Sequence, residues 1–60
     1  MFAIAWIPSL NCEGAVMQQM AHGAKIQYIE PVGYHTVTEY FDIDDYVILV
    51  DIDDETEGDN

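Results

Sequence analysis

Lys25 is the only basic side chain in this 60-residue sequence, against twelve aspartates and glutamates and a formal net charge of −11. That shortage argues against direct binding to nucleic acid or to an anionic membrane, because both are polyanions. Cysteine is almost as scarce. Cys12 stands alone, so no internal disulfide can staple the fold, which suits a reducing cytoplasm. Long apolar runs are missing too. Phe2–Ile7 and Tyr46–Val50 are six and five residues long, far short of the roughly 20 that a membrane helix needs. The opening MFAIAWIPSL has no Lys or Arg, so it does not read as a signal peptide. There is no glycine-rich phosphate loop, and the single cysteine and the two histidines, His22 and His35, show none of the paired close spacings of zinc ligands.

What remains is half hydrophobic, too apolar for a chain disordered throughout. A domain this small buries only about 60% of its unfolded surface, so a second copy is an expected source of stability. FAIAWI reads as a strand closed by Pro8. CEGAVMQQMAH, residues 12–22, reads as a helix: Asn11 would cap it, Glu13 would meet its positive end, and Gly23 would stop it. Cys12, Val16 and Met20 recur at four-residue spacing, as one helix face would require. Residues 24–30, 34–41 and 46–50 read as strands. The expectation is an α+β domain ordered β-α-β-β-β, with a three- or four-stranded sheet and one helix. Its first two strands would form a crossover unit and its last two a hairpin. YVILV, apolar on both faces, reads as a strand covered on both sides. One helix covers one face, so the other calls for a partner, and a homodimer is expected. Residues 1–52 would make the compact domain and 53–60 a mobile acidic tail.

The tetrapeptide DIDD occurs twice, at Asp42–Asp45 and Asp51–Asp54, with YVILV between. Ten acids fall within the 21 residues from Glu39 to Asp59, with no Lys or Arg among them. Asp45 and Asp51 suit gatekeepers that keep an aggregation-prone strand from pairing edge to edge. Protecting a strand does not require the rest. Carboxylates on one strand face recur about every 6.6 Å, and two such rows approach the charge density of a duplex, one charge per about 1.7 Å. Asp42, Asp44, Asp45, Asp51, Asp53, Asp54, Glu55 and Glu57 are therefore the candidate partner-binding residues. Tyr40 and Tyr46 are candidate anchors where exposed. DIDDETEGDN lacks the sixth-position glycine and the twelfth-position glutamate of a calcium loop, so no metal or other cofactor is implied. Cys12 with either histidine offers no defensible catalytic set, and no enzyme is expected.

In composition the chain resembles the small acidic inhibitors that phages direct against host nucleases, repair enzymes and defence complexes, anti-restriction and anti-CRISPR proteins among them. No motif supports the likeness, so it assigns no residue a role. The functional expectation is an inhibitor that mimics phosphate charge and blocks the DNA- or RNA-binding surface of a basic partner, in the host cytoplasm if phage-encoded. The alternative is a structural subunit whose apolar sheet a partner completes, with the tail only solubilising it.

Overall fold

A computed structural model describes residues 2–52; the acidic tail expected at 53–60 lies outside the described residues. The chain forms β1 (Phe2–Ile7), β2 (Cys12–Gln19), β3 (Gly23–Ile29), β4 (Thr36–Asp42), a 3-10 turn (Ile43–Asp45) and β5 (Val47–Ile52). These make one antiparallel sheet of five strands in the order β4-β3-β2-β1-β5. The α+β expectation is therefore wrong: the described residues hold no α-helix, and the sheet has five strands rather than three or four.

The misreading of residues 12–22 has a physical cause. A spacing of four residues suits a helix face, but it is also twice the strand period of two. Cys12 and Val16 do share a face, as expected, but with Gly14 between them on a strand. Hydrogen bonding to β1 on one side and β3 on the other overrides the helical propensity of the segment. Asn11 is not a helix cap. It takes a positive φ of 55° and closes the β1–β2 turn, donating its N–H to the Ile7 carbonyl at 2.8 Å. Gly23 opens β3 instead of ending a helix. The expected crossover is a hairpin, and the expected β4–β5 hairpin does not exist, because β5 pairs with β1.

That last pairing dictates the shape of the sheet. β4 and β5 are its two outermost strands yet follow each other in the chain. In a flat sheet the edges would lie roughly 19 Å apart, and the end of β4 would lie about as far again along the strands from the start of β5. The five steps from Asp42 to Val47 span at most about 18 Å even fully extended, and a 3-10 turn shortens them. The sheet must curl until its edges approach, and the face inside the curl becomes the core.

Ala5, Ile7, Ala24, Ile26, Tyr28, Phe41 and Tyr46 fill that face, with Leu10, Cys12, Val16 and Val37 packed at its margin. Along β1, Ala3, Ala5 and Ile7 point inward, and Ile4 and Trp6 stay half-buried on the outside. Gly14 lies in the middle of the cross-strand row Val37–Tyr28–Gly14–Ala5–Ile48. A Cβ there would come within 2.6 Å of Ile26 Cγ2 and 2.8 Å of the Gln27 carbonyl oxygen, so the tight curl needs glycine. By curling, the sheet covers one of its own faces. Of the two grounds for a second copy, the single helix covering a single face is absent among the described residues, and the small size of the domain remains.

Candidate interaction surface

The candidate aspartates among the described residues fall between the end of β4 and the end of β5. Asp42 ends β4, Asp44 and Asp45 lie in the 3-10 turn, and Asp51 lies on β5 opposite Ala3; all four are exposed. The turn is tied to the β2–β3 connection, where the Ile43 N–H donates to the His22 carbonyl at 2.9 Å. Asp45 and Asp51 thus bracket β5, one before its first residue and one near its end. An extended chain puts about 20 Å between them. Asp53, Asp54, Glu55 and Glu57 lie outside the described residues.

The strand between the acids is not covered on both sides, as its sequence suggests. Val47, Ile48, Leu49 and Val50 are 54%, 39%, 50% and 45% exposed. The reason is topological. Among the described residues β5 pairs only with β1, so it is an edge strand of the sheet they form, and it lies where the curl ends. A register shift opposite Ile4 and Ala5 leaves Leu49 as the extra residue of a bulge. The acids were the readable part of this surface. The exposed apolar edge was missed, because five apolar residues in a row look the same whether an edge or an interior strand holds them.

The two anchor tyrosines part company. Tyr46 is buried in the core beneath the turn, with Gln19 Nε2 at 3.4 Å from its hydroxyl, so it presents no anchor at the surface. Tyr40 remains exposed on β4 and lays its ring over Gly23, whose missing Cβ would lie 2.6 Å from the Tyr40 hydroxyl oxygen. Burial of the phenol, then the Asp42 carboxylate beside it, pushes the Tyr40 pKa above its ordinary value. Tyr28 donates a 2.9 Å hydrogen bond to Glu39 Oε1, and that bond, with desolvation second, raises its pKa as well. Both phenols stay protonated and neutral at neutral pH.

Other sites offer less. An open groove of about 390 Å³ runs over Ile4, Glu13, Ala15, Gln27, Ile29 and Thr36, with Glu13 its one charged side chain. Among the described residues, no three His, Cys, Asp or Glu side chains converge as metal ligands. Cys12 begins β2 and His22 follows its far end, so a strand's length separates them. No helix among the described residues is long and apolar enough to cross a membrane. No protein-family model matches this chain, and neither does any curated protein or solved structure.

Proposed function

We propose that the protein is a non-catalytic inhibitor that occupies a basic, nucleic-acid-binding surface of a partner protein by presenting carboxylates in place of phosphates. One observation carries this reading: Asp42, Asp44, Asp45 and Asp51 are all exposed, with Asp42 at the end of β4, Asp44 and Asp45 in the turn that leads into β5, and Asp51 near the end of β5. Their span of about 20 Å matches about six base steps of a duplex at 3.4 Å each. Asp53, Asp54, Glu55 and Glu57 continue the charge in sequence. Such a surface steers association with a basic groove and makes binding fall with salt.

The exposed β5 edge favours a second reading, a structural subunit whose open sheet a partner completes. One experiment separates the two. The tagged chain is used to capture proteins from a bacterial lysate on a salt ladder, beside a variant carrying Asp42→Asn, Asp44→Asn, Asp45→Asn and Asp51→Asn. The inhibitor reading expects a nucleic-acid-binding protein that elutes at raised salt, is lost with the variant, and is displaced by duplex DNA or by RNA. A partner that resists salt, ignores the variant and is indifferent to nucleic acid would sink the inhibitor reading in favour of the assembly one.

A further inference from the structure

We propose that the outer edge of β5 binds an extended polypeptide strand that is apolar in its middle and carries Lys or Arg at both ends. This goes beyond the inhibitor reading and does not depend on whether the partner's surface also takes nucleic acid.

The backbone supplies the first reason. Among the described residues β5 hydrogen-bonds only to β1, and toward these its other side presents unpaired N–H and C=O groups. Proteins usually blunt such edges with Lys, Pro or a bulge or cover them with a loop, and of these β5 has the bulge at Leu49. Between Val47 and Val50 there is neither Lys nor Pro, and all four aliphatic side chains are exposed. An added strand would satisfy the backbone groups and cover the apolar side chains together.

Charge selects the occupant. Asp44 and Asp45 flank the start of the edge, and Asp51 lies near its end. A second copy would bring the same acids with it. If two β5 edges paired antiparallel about Ile48, Asp51 of one copy would face Asp45 of the other at each end. If they paired parallel, Asp51 would face Asp51 and Asp45 would face Asp45. Either orientation sets like charges side by side on chains that each carry −11. An incoming strand with basic ends meets carboxylates at both ends instead, in either direction. The backbone pairing then supplies affinity, and the flanking charges supply register and discrimination.

The test uses three synthetic peptides against the full chain. The probe is Lys-Lys-Val-Thr-Val-Thr-Val-Lys-Lys. The first control replaces every lysine with glutamate. The second keeps the lysines and replaces both threonines with proline, which removes backbone donors and the extended pairing geometry. The probe is expected to bind at least about tenfold more tightly than either control. It should also slow hydrogen exchange at β5 amides, and Leu49→Lys should weaken it by at least about tenfold while leaving the circular dichroism unchanged. Equal binding of the proline peptide would reduce the contact to charge alone and overturn the proposal. So would equal binding of the glutamate peptide, no binding of any peptide, or a concentration-dependent dimer that Leu49→Lys dissolves. Should Leu49→Lys not fold, the β5 amide protection in the unaltered chain decides. Capture of a partner that nucleic acid displaces, with no peptide bound, would leave the inhibitor reading standing and remove this one.

Discussion

The sheet has two edges, and they are built on opposite plans. β4 offers solvent Thr36, Thr38, Glu39 and Tyr40 and buries Phe41 in the core. β5 offers solvent Val47, Ile48, Leu49 and Val50, and polar residues enter only at its ends. Both edges carry the same hazard, an unpaired row of backbone groups. β4 answers it with polar side chains along its length. β5 leaves the middle apolar and places charge on either side. The contrast suggests that β4 is an edge kept closed to partners and β5 an edge kept available to some and closed to others, with charge as the discriminator.

The largest expected effect tests how firmly β4 is held. Phe41 is buried and meets Tyr28 edge to face at 6.0 Å between ring centroids. Phe41→Ala should cost about 3–4 kcal/mol, most of the stability of a domain this small. Leu49→Ala on β5 removes a side chain already half in water and should cost about 1 kcal/mol or less. Urea unfolding of both variants measures the gap. Similar losses would mean that β5 is more deeply packed than its exposure indicates.

The next effect concerns the seam between β3 and β4. A Cβ at Gly23 would lie 2.1 Å from the Phe41 carbonyl oxygen and would also strike the Tyr40 ring. Gly23→Ala should therefore push β4 outward and cost about 1–3 kcal/mol, read as a lower urea midpoint. An unchanged midpoint would show that the edge tolerates displacement and is not locked in place.

Alkaline titration probes the same seam more gently. Tyr28, bonded to Glu39, and Tyr40, desolvated and beside Asp42, both have raised pKa values, so the folded chain holds their protons more tightly than the unfolded chain does. Their contribution to stability is fully present below the ordinary phenol value of about 10 and is lost as pH rises through the raised folded values. The melting temperature should stay level up to that point and then fall. Glu39→Gln removes the charge facing Tyr28, so tyrosinate absorbance should appear at lower pH and the fall in stability should become shallower. No change in the tyrosinate titration would mean that Glu39 does not control this phenol.

Much of each edge was legible before the fold was known, and its role was not. The strands at β1, β3, β4 and β5 follow from β-branched and aromatic content, and their ends fall within two residues of those expected. Two things stayed hidden. The four-residue spacing of Cys12 and Val16 fits both a strand and a helix, and Gly14, which costs a helix stability, was also the residue that a tight curl requires. The pairing of β5 with β1 joins the first and last described strands, and no local pattern encodes it. Without that pairing, an apolar strand reads as interior, and Tyr46 reads as a surface anchor when it is part of the core. The acids were the legible part of the site because aspartate seldom lies buried without a partner.

The smallest change in folding free energy should carry the clearest consequence for the two edges. Asp45 and Asp51 are exposed on either side of β5. Replacing both with asparagine removes two exposed charges from a chain that carries −11, and the effect on the monomer should stay within about 0.5 kcal/mol, leaning toward stabilisation as repulsion eases. If these acids are what stops β5 from pairing with itself, the double variant should associate through that edge at concentrations where the unaltered chain stays monomeric. Sedimentation at matched concentrations shows this, and added salt, which screens the same repulsion, should push the unaltered chain the same way. The matching change on β4, Glu39→Gln with Asp42→Asn, should cause no association, because Thr36, Thr38 and Tyr40 still keep that edge polar. Association through β4, or none through β5, would erase the distinction between the edges, and the acids around β5 would then be left with partner recognition as their only role.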